Sequence, residues 1–310
     1  MSAHNLNTVL HPNLRNFINV PGFSVTGVND CFLCPDALHR FEDRCVGIFG
    51  SRPSCRAVRD DMTAACALIA TLDAKRGAPT VVCINAAPRG TNEPGVIKQN
   101  HDNGTPFGFV KYGETLITST LTGYELSLAK KLLPKQVLGL LEVPAVMEYM
   151  LQLGRVTETQ AQHVCNSQYR SFEFLPDAAA WLYAGENLPF TEISMDQIPD
   201  MPGIVWKIDN FGNCCTTIQT CERVGAVRGG RSQTLHWGVL PHYERLADVP
   251  RGKAAIVSGS SGFGFGHERR FLEIVVGGMG NAAKELGITV GSEVFEVFGV
   301  PGNRQRSKAS

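Results

Sequence analysis

Apolar positions recur at helical spacing in residues 56–75, and a mostly apolar run, residues 79–85, follows a short break that contains glycine. The first pattern predicts a helix and the second a buried strand. Residues 108–119 predict a hairpin that turns at Tyr112-Gly-Glu, and residues 123–133 predict a helix closed by a proline. Strands mixed with helices in this half predict an α/β layer domain.

The second half of the chain has a different pattern. Residues 175–185 are again helical in their periodicity, and the stretch that follows contains Pro189, Pro199 and Pro202. Beyond it, short alternating runs separated by Gly-rich turns predict a smaller all-β domain, sandwich-like or barrel-like. We therefore expect an N-terminal α/β domain at 1–188, a linker at 189–203, a C-terminal β domain at 204–298 and a polar, disordered tail without a role in the site at 299–310.

Composition narrows the class of partner. The chain has 310 residues, 43% of them hydrophobic, and its 29 Lys+Arg balance its 29 Asp+Glu. Zero formal charge gives no electrostatic footprint for nucleic acid or an anionic membrane. No apolar run reaches the roughly 20 residues that span a bilayer, and the N-terminus lacks the order of a secretory signal. We expect a cytoplasmic protein whose partner is a small molecule or another protein.

Ten cysteines are more than such a chain ordinarily carries, and most lie in apolar contexts typical of reduced core residues. Cys31-Phe-Leu-Cys34 has the spacing of half a zinc site, but the second Cys-x-x-Cys or His pair that would complete the site is missing. A redox pair is the other interpretation of this spacing. We expect no metal.

The segment with most chemical content is Asp209-Asn-Phe-Gly-Asn213, which ends one alternating apolar run and precedes a second β-prone run. It places a carboxylate, an aromatic ring and a carboxamide in one hairpin. A turn asparagine most often bonds its own backbone, so the motif taken alone is equally compatible with a structural turn.

A second segment is residues 271–276, a strand pattern, followed by Gly278-Met-Gly-Asn-Ala-Ala283. This turn imitates the Gly-x-Gly-x-x-Ala of dinucleotide-binding folds. A dinucleotide fold needs further βα units, and about 27 residues remain after Ala283. Asp-x-Phe-Gly-Asn followed by Thr-x-Ile, together with Leu-Glu-Ile and a Gly-rich turn before Asn-Ala-Ala, instead resembles the C-terminal domain of the S-adenosylmethionine (SAM) hydroxide adenosyltransferases and the related fluorinases and chlorinases.

This resemblance implies a set of ligand-binding residues in the second half. Amides of Asn213 and of Asn281-Ala282 would contact adenine, whose ring acceptors and exocyclic donor suit them. The set is completed by Asp209 and Phe211 of the turn, Tyr243 as a stacking platform, Ser261 near the methionine carboxylate, and Arg269 or the adjacent Arg270 as a partner of that carboxylate.

The first half resembles the family less closely. Possible contributors there are Asp30 for the ribose, Asn85, Arg89, Gln168 and Arg170. Asn85 or Ala86 stands where the hydroxide-type relatives carry an aspartate, and Gln168 stands where they carry a histidine. Since water as a nucleophile benefits from a group that orients or deprotonates it, we expect hydrolysis of SAM to be slow or absent.

The resemblance as a whole implies a SAM-binding protein that cleaves its ligand by nucleophilic attack at the 5′ carbon and releases methionine. The nucleophile stays open between a halide and another group. The alternative is a non-catalytic, adenosyl-binding or structural relative of the same fold. No cofactor is implied beyond SAM itself as substrate or ligand, and the relatives imply a homotrimer whose ligand lies between the N-terminal domain of one subunit and the C-terminal domain of its neighbour.

Overall fold

The computed structural model describes residues 20–86, 105–133, 136–219, 223–227, 239–264, 266 and 269–297. The chain forms two compact units, Met1–Asp200 and Met201–Ser310. Among the helices so described, none has the length and apolarity required to cross a membrane. The predicted tail, 299–310, lies outside the described residues.

The first unit is built on a seven-stranded sheet. Its strands are β1 (Ser24–Asn29), β2 (Ser54–Ala57), β3 (Thr80–Asn85), β4 (Phe107–Tyr112), β5 (Thr115–Thr120), β6 (Leu138–Leu141) and β7 (Thr191–Ile193), in the order β2-β1-β3-β5-β4-β6-β7. The four strands β2, β1, β3 and β5 are parallel, and β4, β6 and β7 continue the sheet with antiparallel pairings. The predicted hairpin is confirmed as β4–β5, with Phe107 opposite Thr120.

The described residues of this unit also form the helices α1 (Pro35–Phe49), α2 (Asp61–Lys75), α3 (Ser127–Leu132), α4 (Val143–Gln152), α5 (Glu158–Asn166), α6 (Arg170–Glu173) and α7 (Leu175–Tyr183). Alternate residues of a strand face opposite sides. Val81 and Cys83 of β3 therefore pack with α1 and α7 in one core, while the intervening positions face the other side. The mixed sheet with helices confirms the α/β class of the first unit.

Two predicted boundaries differ from the structure. The helix predicted over 56–75 begins only at Asp61, because the Asp60 side chain accepts the N–H of Thr63 at 2.7 Å and caps it there. The helix predicted over 123–133 begins at Ser127, and the residues before it form a loop after β5.

The predicted linker also needs a correction. Within 189–203, Thr191–Ile193 is a strand and Met195–Gln197 is a short 3₁₀ turn, and β7 pairs with β6 at the edge of the first sheet. The division between the two units falls between Asp200 and Met201. Most of the predicted linker thus belongs to the first unit.

The second unit is nearly all β. Its strands are β8 (Val205–Ile208), β9 (Cys214–Thr216), β10 (Arg223–Val227), β11 (Leu240–Tyr243), β12 (Ala254–Gly262), β13 (Arg270–Val276) and β14 (Glu293–Val297), in the order β14-β10-β11-β12-β13-β9-β8. The first and last strands of this order meet, because Ile204 bridges Glu293 and the Val205 N–H bonds the carbonyl of Ser292 at 2.8 Å. The sheet therefore closes on itself, which confirms the barrel-like prediction.

A short helix, α8 (Ala282–Leu286), lies between β13 and β14, and Ala282 belongs to the apolar core of this unit. The Gly-rich turn before it connects β13, an antiparallel strand, to this five-residue helix. A dinucleotide fold would require a parallel βαβ unit here. The dinucleotide-binding alternative is therefore excluded by the fold.

Candidate functional site

Each unit contains one group of polar residues. The group in the first unit lies at the carboxyl ends of β1 and β3. In the first unit, β1 connects to β2 on one side, and the chain then returns to β3 on the other side of β1. The carboxyl ends of β1 and β3 therefore flank a point where the strand order reverses. Open α/β sheets bind their ligands at such points.

Two asparagines lie at this point. Asn29 ends β1 and Asn85 ends β3, and the two residues are in register. The Asn85 side-chain amide donates to Asn29 Oδ1 at 3.3 Å, and the Cys31 N–H donates to the same oxygen at 2.8 Å. Within the described part of the chain, no residue pairs with the Asn29 side-chain N–H groups or with Asn85 Oδ1. The two Asn29 side-chain N–H groups and the Asn85 side-chain oxygen therefore stay available for a polar ligand.

Buried carboxylates surround the same edge of the sheet. Asp61 accepts the Tyr124 N–H at 2.9 Å, and the Thr120 hydroxyl donates to Glu125 Oε1 at 2.7 Å. Burial raises the pKa of Glu125 well above its usual range, and the negative charges of Asp61 and Asp30 raise it further. Burial also raises the pKa of Asp61.

Arg170 lies beside this group of residues. Its guanidinium carbon is 6.0 Å from the ring centroid of Phe107, whose strand position is opposite Thr120 at the end of β5. Burial lowers the pKa of Arg170. The structure shows no carboxylate ion-paired with Arg170 among the residues it describes, which leaves this half-buried cation suited to an anionic group of a ligand. Gln168, two residues earlier, is exposed.

In the second unit, Asp209 organises the hairpin turn between β8 and β9. Its Oδ1 accepts the N–H groups of Phe211 at 2.9 Å and Asn213 at 2.8 Å, and its Oδ2 accepts the side-chain amide of Asn213 at 3.0 Å. Asp209 thus stabilises the turn in which it lies, and its role in ligand binding stays a prediction. The same bonds hold the Asn213 side chain in one orientation.

The Phe-Gly-Asn turn touches the turn that precedes α8. The Ala283 N–H donates to the Gly212 carbonyl at 3.0 Å, and the Asn281 side chain caps α8 by accepting the Lys284 N–H at 2.8 Å. Phe211 is 69% exposed and Met279 is fully exposed. Each turn therefore presents one solvent-exposed apolar side chain close to its asparagine, Asn213 or Asn281. The structure brings together the residues that the resemblance assigned to adenine.

The remaining candidates of the second unit have separate positions. Tyr243 is half-buried and packs on Val249 and its neighbours on another part of the barrel. Ser261 Oγ is buried and has no partner among the described residues. Arg269 is exposed, whereas Arg270 donates to the backbone carbonyls of Ser260 and Gly264 at 3.0 and 2.6 Å. Arg270 therefore stabilises its own loop.

One predicted residue cannot be placed, and four residues near the two groups were not predicted. Arg89 lies outside the described residues. Sequence reasoning missed Asn29, Asp61, Glu125 and Met279; the first could have been found by its position at a strand end, next to Asp30. Among the residues that the structure describes, no three His, Cys, Asp or Glu side chains are grouped as metal ligands.

Comparison with known proteins agrees with the barrel unit. Residues 203–295 match the family model described as the SAM hydroxide adenosyltransferase C-terminal domain. The resemblance inferred from the sequence is confirmed. It holds at the level of sequence for the second unit, which is similar to that domain. No curated protein matches the chain significantly.

Two solved structures share the fold of the whole chain. An uncharacterized conserved protein from Thermotoga maritima is 15% identical, with a TM-score of 0.53, and the alignment covers 87% of this chain and 98% of that one. A conserved hypothetical protein from Thermus thermophilus is 20% identical, with a TM-score of 0.50, and the alignment covers 88% and 99%. At these identities the likeness concerns the fold alone.

Proposed function

We propose that the protein binds SAM and transfers its adenosyl group to a nucleophile, with release of methionine. The observation that carries this proposal is the contact between the Phe-Gly-Asn turn and the turn before α8, where the Ala283 N–H bonds the Gly212 carbonyl within the segment that matches the SAM domain model. Two amide-bearing turns with exposed Phe211 and Met279 offer both hydrogen bonds and apolar contact to a heterocycle.

The first unit supplies groups that suit the rest of the ligand. Asn29, Asn85 and Asp30 at the strand ends offer donors and acceptors for ribose hydroxyls. Arg170, half-buried beside Phe107, offers a cation for the methionine carboxylate. These assignments are part of the proposal, and so is Arg269 as a second candidate for that carboxylate.

The reaction needs little acid or base chemistry. A nucleophile attacks the 5′ carbon, its new bond forms as the bond from that carbon to the sulfonium sulfur breaks, and the electron pair passes to sulfur. Methionine leaves as a neutral thioether and requires no proton. What the protein must provide is a positioned ribose and an in-line path. The nucleophile is a halide or another anion in this proposal.

A specific observation favours the non-catalytic alternative. Asn85 or Ala86 stands where the hydroxide-type relatives carry an aspartate, the exposed Gln168 stands where they carry a histidine, and burial raises the pKa of Glu125. A protein with these substitutions can retain an adenosyl-ligand site without turnover. The test must therefore measure binding and cleavage separately.

The binding test compares two asparagines of one turn. Asn213→Ala removes a ligand contact and is expected to weaken binding of SAM or adenosine by about 1–3 kcal/mol in calorimetry. Asn210→Ala is the matched control, because Asn210 is an exposed residue of the same turn. Equal affinities of wild-type protein and Asn213→Ala would contradict the adenine assignment, and absence of binding by the wild-type protein would contradict both functions.

The cleavage test incubates wild-type protein with SAM and separate nucleophiles, namely chloride, fluoride and water alone, and measures methionine by mass spectrometry. Methionine release with one of the anions supports the transferase. Binding without release under all conditions supports the non-catalytic alternative.

We also propose a homotrimer, because the family resemblance implies one. If ligand binds only the assembled form, SAM or adenosine stabilises the assembly by mass action. Sedimentation velocity with and without adenosine checks this, and a monomer that binds ligand would contradict it.

A further inference from the structure

Two exposed cysteines lie immediately after β1. Residues Asp30–Leu33 form one turn of 3₁₀ helix, and the Cys34 N–H donates to the Cys31 carbonyl at 2.9 Å. Both Cys31 and Cys34 are exposed to solvent. Of the nine cysteines that the structure describes, the other seven are buried or half-buried: Cys45, Cys55, Cys66, Cys83, Cys165, Cys214 and Cys215.

The backbone of this turn brings the two residues close together. A 3₁₀ helix has three residues per turn and rises about 2.0 Å per residue, so residues i and i+3 lie on one side, about 6 Å apart along the axis. Disulfides join residues whose Cα atoms are about 4.4–6.8 Å apart. Cys34 directly follows this turn, and the bond from its N–H to the Cys31 carbonyl keeps the two residues within one turn of backbone, which is compatible with that separation.

Among the cysteines that the structure describes, the other thiols are poor competitors for oxidation. Burial raises the pKa of Cys83 to about 12 and that of Cys214 to about 12, and it raises the pKa of half-buried Cys55 to about 11. The thiolate is the reactive form of cysteine, and buried cysteines in apolar surroundings are inert. Accessibility therefore selects Cys31 and Cys34.

We propose that Cys31 and Cys34 form a reversible dithiol–disulfide pair. With a small disulfide such as oxidised glutathione as oxidant, one cysteine thiolate attacks a glutathione sulfur, and the S–S bond breaks to release one glutathione thiolate. The second cysteine thiolate then attacks the protein sulfur of the mixed disulfide and releases the second glutathione. Two electrons pass to glutathione, and the two cysteine protons end on the two glutathione thiols.

The position of the pair connects it to the polar residues of the first unit. The Cys31 N–H donates to Asn29 Oδ1 at 2.8 Å, and the same oxygen accepts the Asn85 amide. Asp30 is the first residue of the turn that the disulfide would close. Oxidation therefore restrains the residues that the proposed function assigns to the ribose, and this coupling rests on that function.

The chemical test uses the full-length protein equilibrated in glutathione buffers from reducing to oxidising. Remaining thiols are alkylated, and the peptide that contains both cysteines is analysed by mass spectrometry. We expect this peptide to lose two hydrogens and to resist alkylation under oxidising conditions, and to regain both thiols with dithiothreitol. Cys34→Ser is expected to retain a glutathione adduct at Cys31, whereas Cys55→Ser, the control, leaves the disulfide unchanged.

Three results would overturn the proposed disulfide pair: alkylation of both thiols at every potential, glutathione adducts on both cysteines of the wild-type protein, or zinc held by both thiols in native mass spectrometry.

A separate measurement tests the coupling by comparing the adenosine affinity of the oxidised and the reduced protein. We expect a change of about threefold or more that is absent in Cys34→Ser. Equal affinities would overturn the coupling and leave the disulfide standing, and absence of binding in both states would count against the proposed function.

Discussion

Asp209 and Asn213 lie four residues apart and have different tasks in the turn between β8 and β9. Asp209 accepts two backbone N–H groups and one side-chain amide, so it stabilises the turn, and Asn213 is held in place by it. The sequence predicted both residues as site members because the motif carries a recognisable resemblance. It did not separate their roles, since the same Asp-x-Phe-Gly-Asn letters fit a structural turn and a ligand contact.

This division of roles predicts that Asp209→Ala destabilises the protein. Three bonds lose their acceptor, and the expected decrease in the free energy of unfolding is about 1–3 kcal/mol. Asn210→Ala, in the same turn and exposed, is expected to change it by less than about 0.5 kcal/mol. Urea unfolding of the three proteins checks this, and equal stability of the two variants would mean that the turn does not depend on the carboxylate.

Glu125 predicts a dependence of stability on pH. Because burial raises its pKa in the folded protein, the unfolded chain releases this proton first as the pH rises above about 4.3, the ordinary pKa of glutamate. The contribution of Glu125 to stability is therefore complete below that pH and is lost as the pH rises toward the folded-state value. Glu125→Gln has no proton to lose.

We accordingly expect the melting temperature of Glu125→Gln, relative to wild type, to increase between pH 5 and pH 8. Glu114→Gln is the control, since Glu114 is exposed in the turn between β4 and β5. Thermal unfolding at several pH values measures both differences. The interpretation fails if the two variants show the same pH dependence relative to wild type.

Neither Glu125 nor Asp61 was predicted as a site residue, and the reason is physical. Asp61 accepts the N–H of Tyr124, which is 63 positions away in the sequence. Carboxylates are rarely buried without partners, and a partner so distant leaves no local pattern. Asn85, in contrast, ends a clearly apolar run, and its place at a strand end was readable from the sequence alone.

At the level of elements, the contact between the β8–β9 turn and α8 depends on Gly212. Its φ is 89°, and a Cβ added there would overlap the Asn281 side chain. Gly212→Ala is therefore strained by its backbone conformation and by the side chain that it meets. We expect it to destabilise the protein and to weaken adenosine binding.

Gly252→Ala separates these two causes. Gly252 has a φ of 71°, and no atom lies within 4 Å of the Cβ that alanine would add. This variant carries only the backbone penalty, about 1–2 kcal/mol, and is expected to retain adenosine affinity. Unfolding and calorimetry measure both quantities. If Gly212→Ala matched Gly252→Ala in both, the contact of the turn with Asn281 would have no energetic weight.

Short elements were the least predictable. β7 has three residues, too few to display a period of two, and prolines at 189 and 199 lie on either side of it. Such prolines favour a linker in the sequence, yet they are compatible with an edge strand, which is where β7 lies. Longer periodic elements such as α2 and α7 were predicted with errors only at their ends.

At the level of the whole molecule, the class of each unit followed from pattern, but the strand orders did not. Periodicity reports which face of an element is buried. It carries no information on which strands become neighbours, so the reversal point beside Asn29 and Asn85, and the closure of the barrel between β8 and β14, became visible only in the structure.

The activity of the whole molecule is the last prediction. We expect hydrolysis of SAM to adenosine to be slow or absent. The side chains that replace the Asp and His of the hydroxide-type relatives, those of Asn85 or Ala86 and of Gln168, accept no proton from water near neutral pH. Burial raises the pKa of the Glu125 carboxyl, which disfavours the carboxylate form that a general base requires. General-base assistance typically contributes about 10²–10⁴-fold to the rate.

Adenosine formation is measured by mass spectrometry without added halide, with Glu125→Gln as the comparison. A turnover of about 1 per second or faster that is lost in Glu125→Gln would identify this carboxyl as a base and would contradict the prediction.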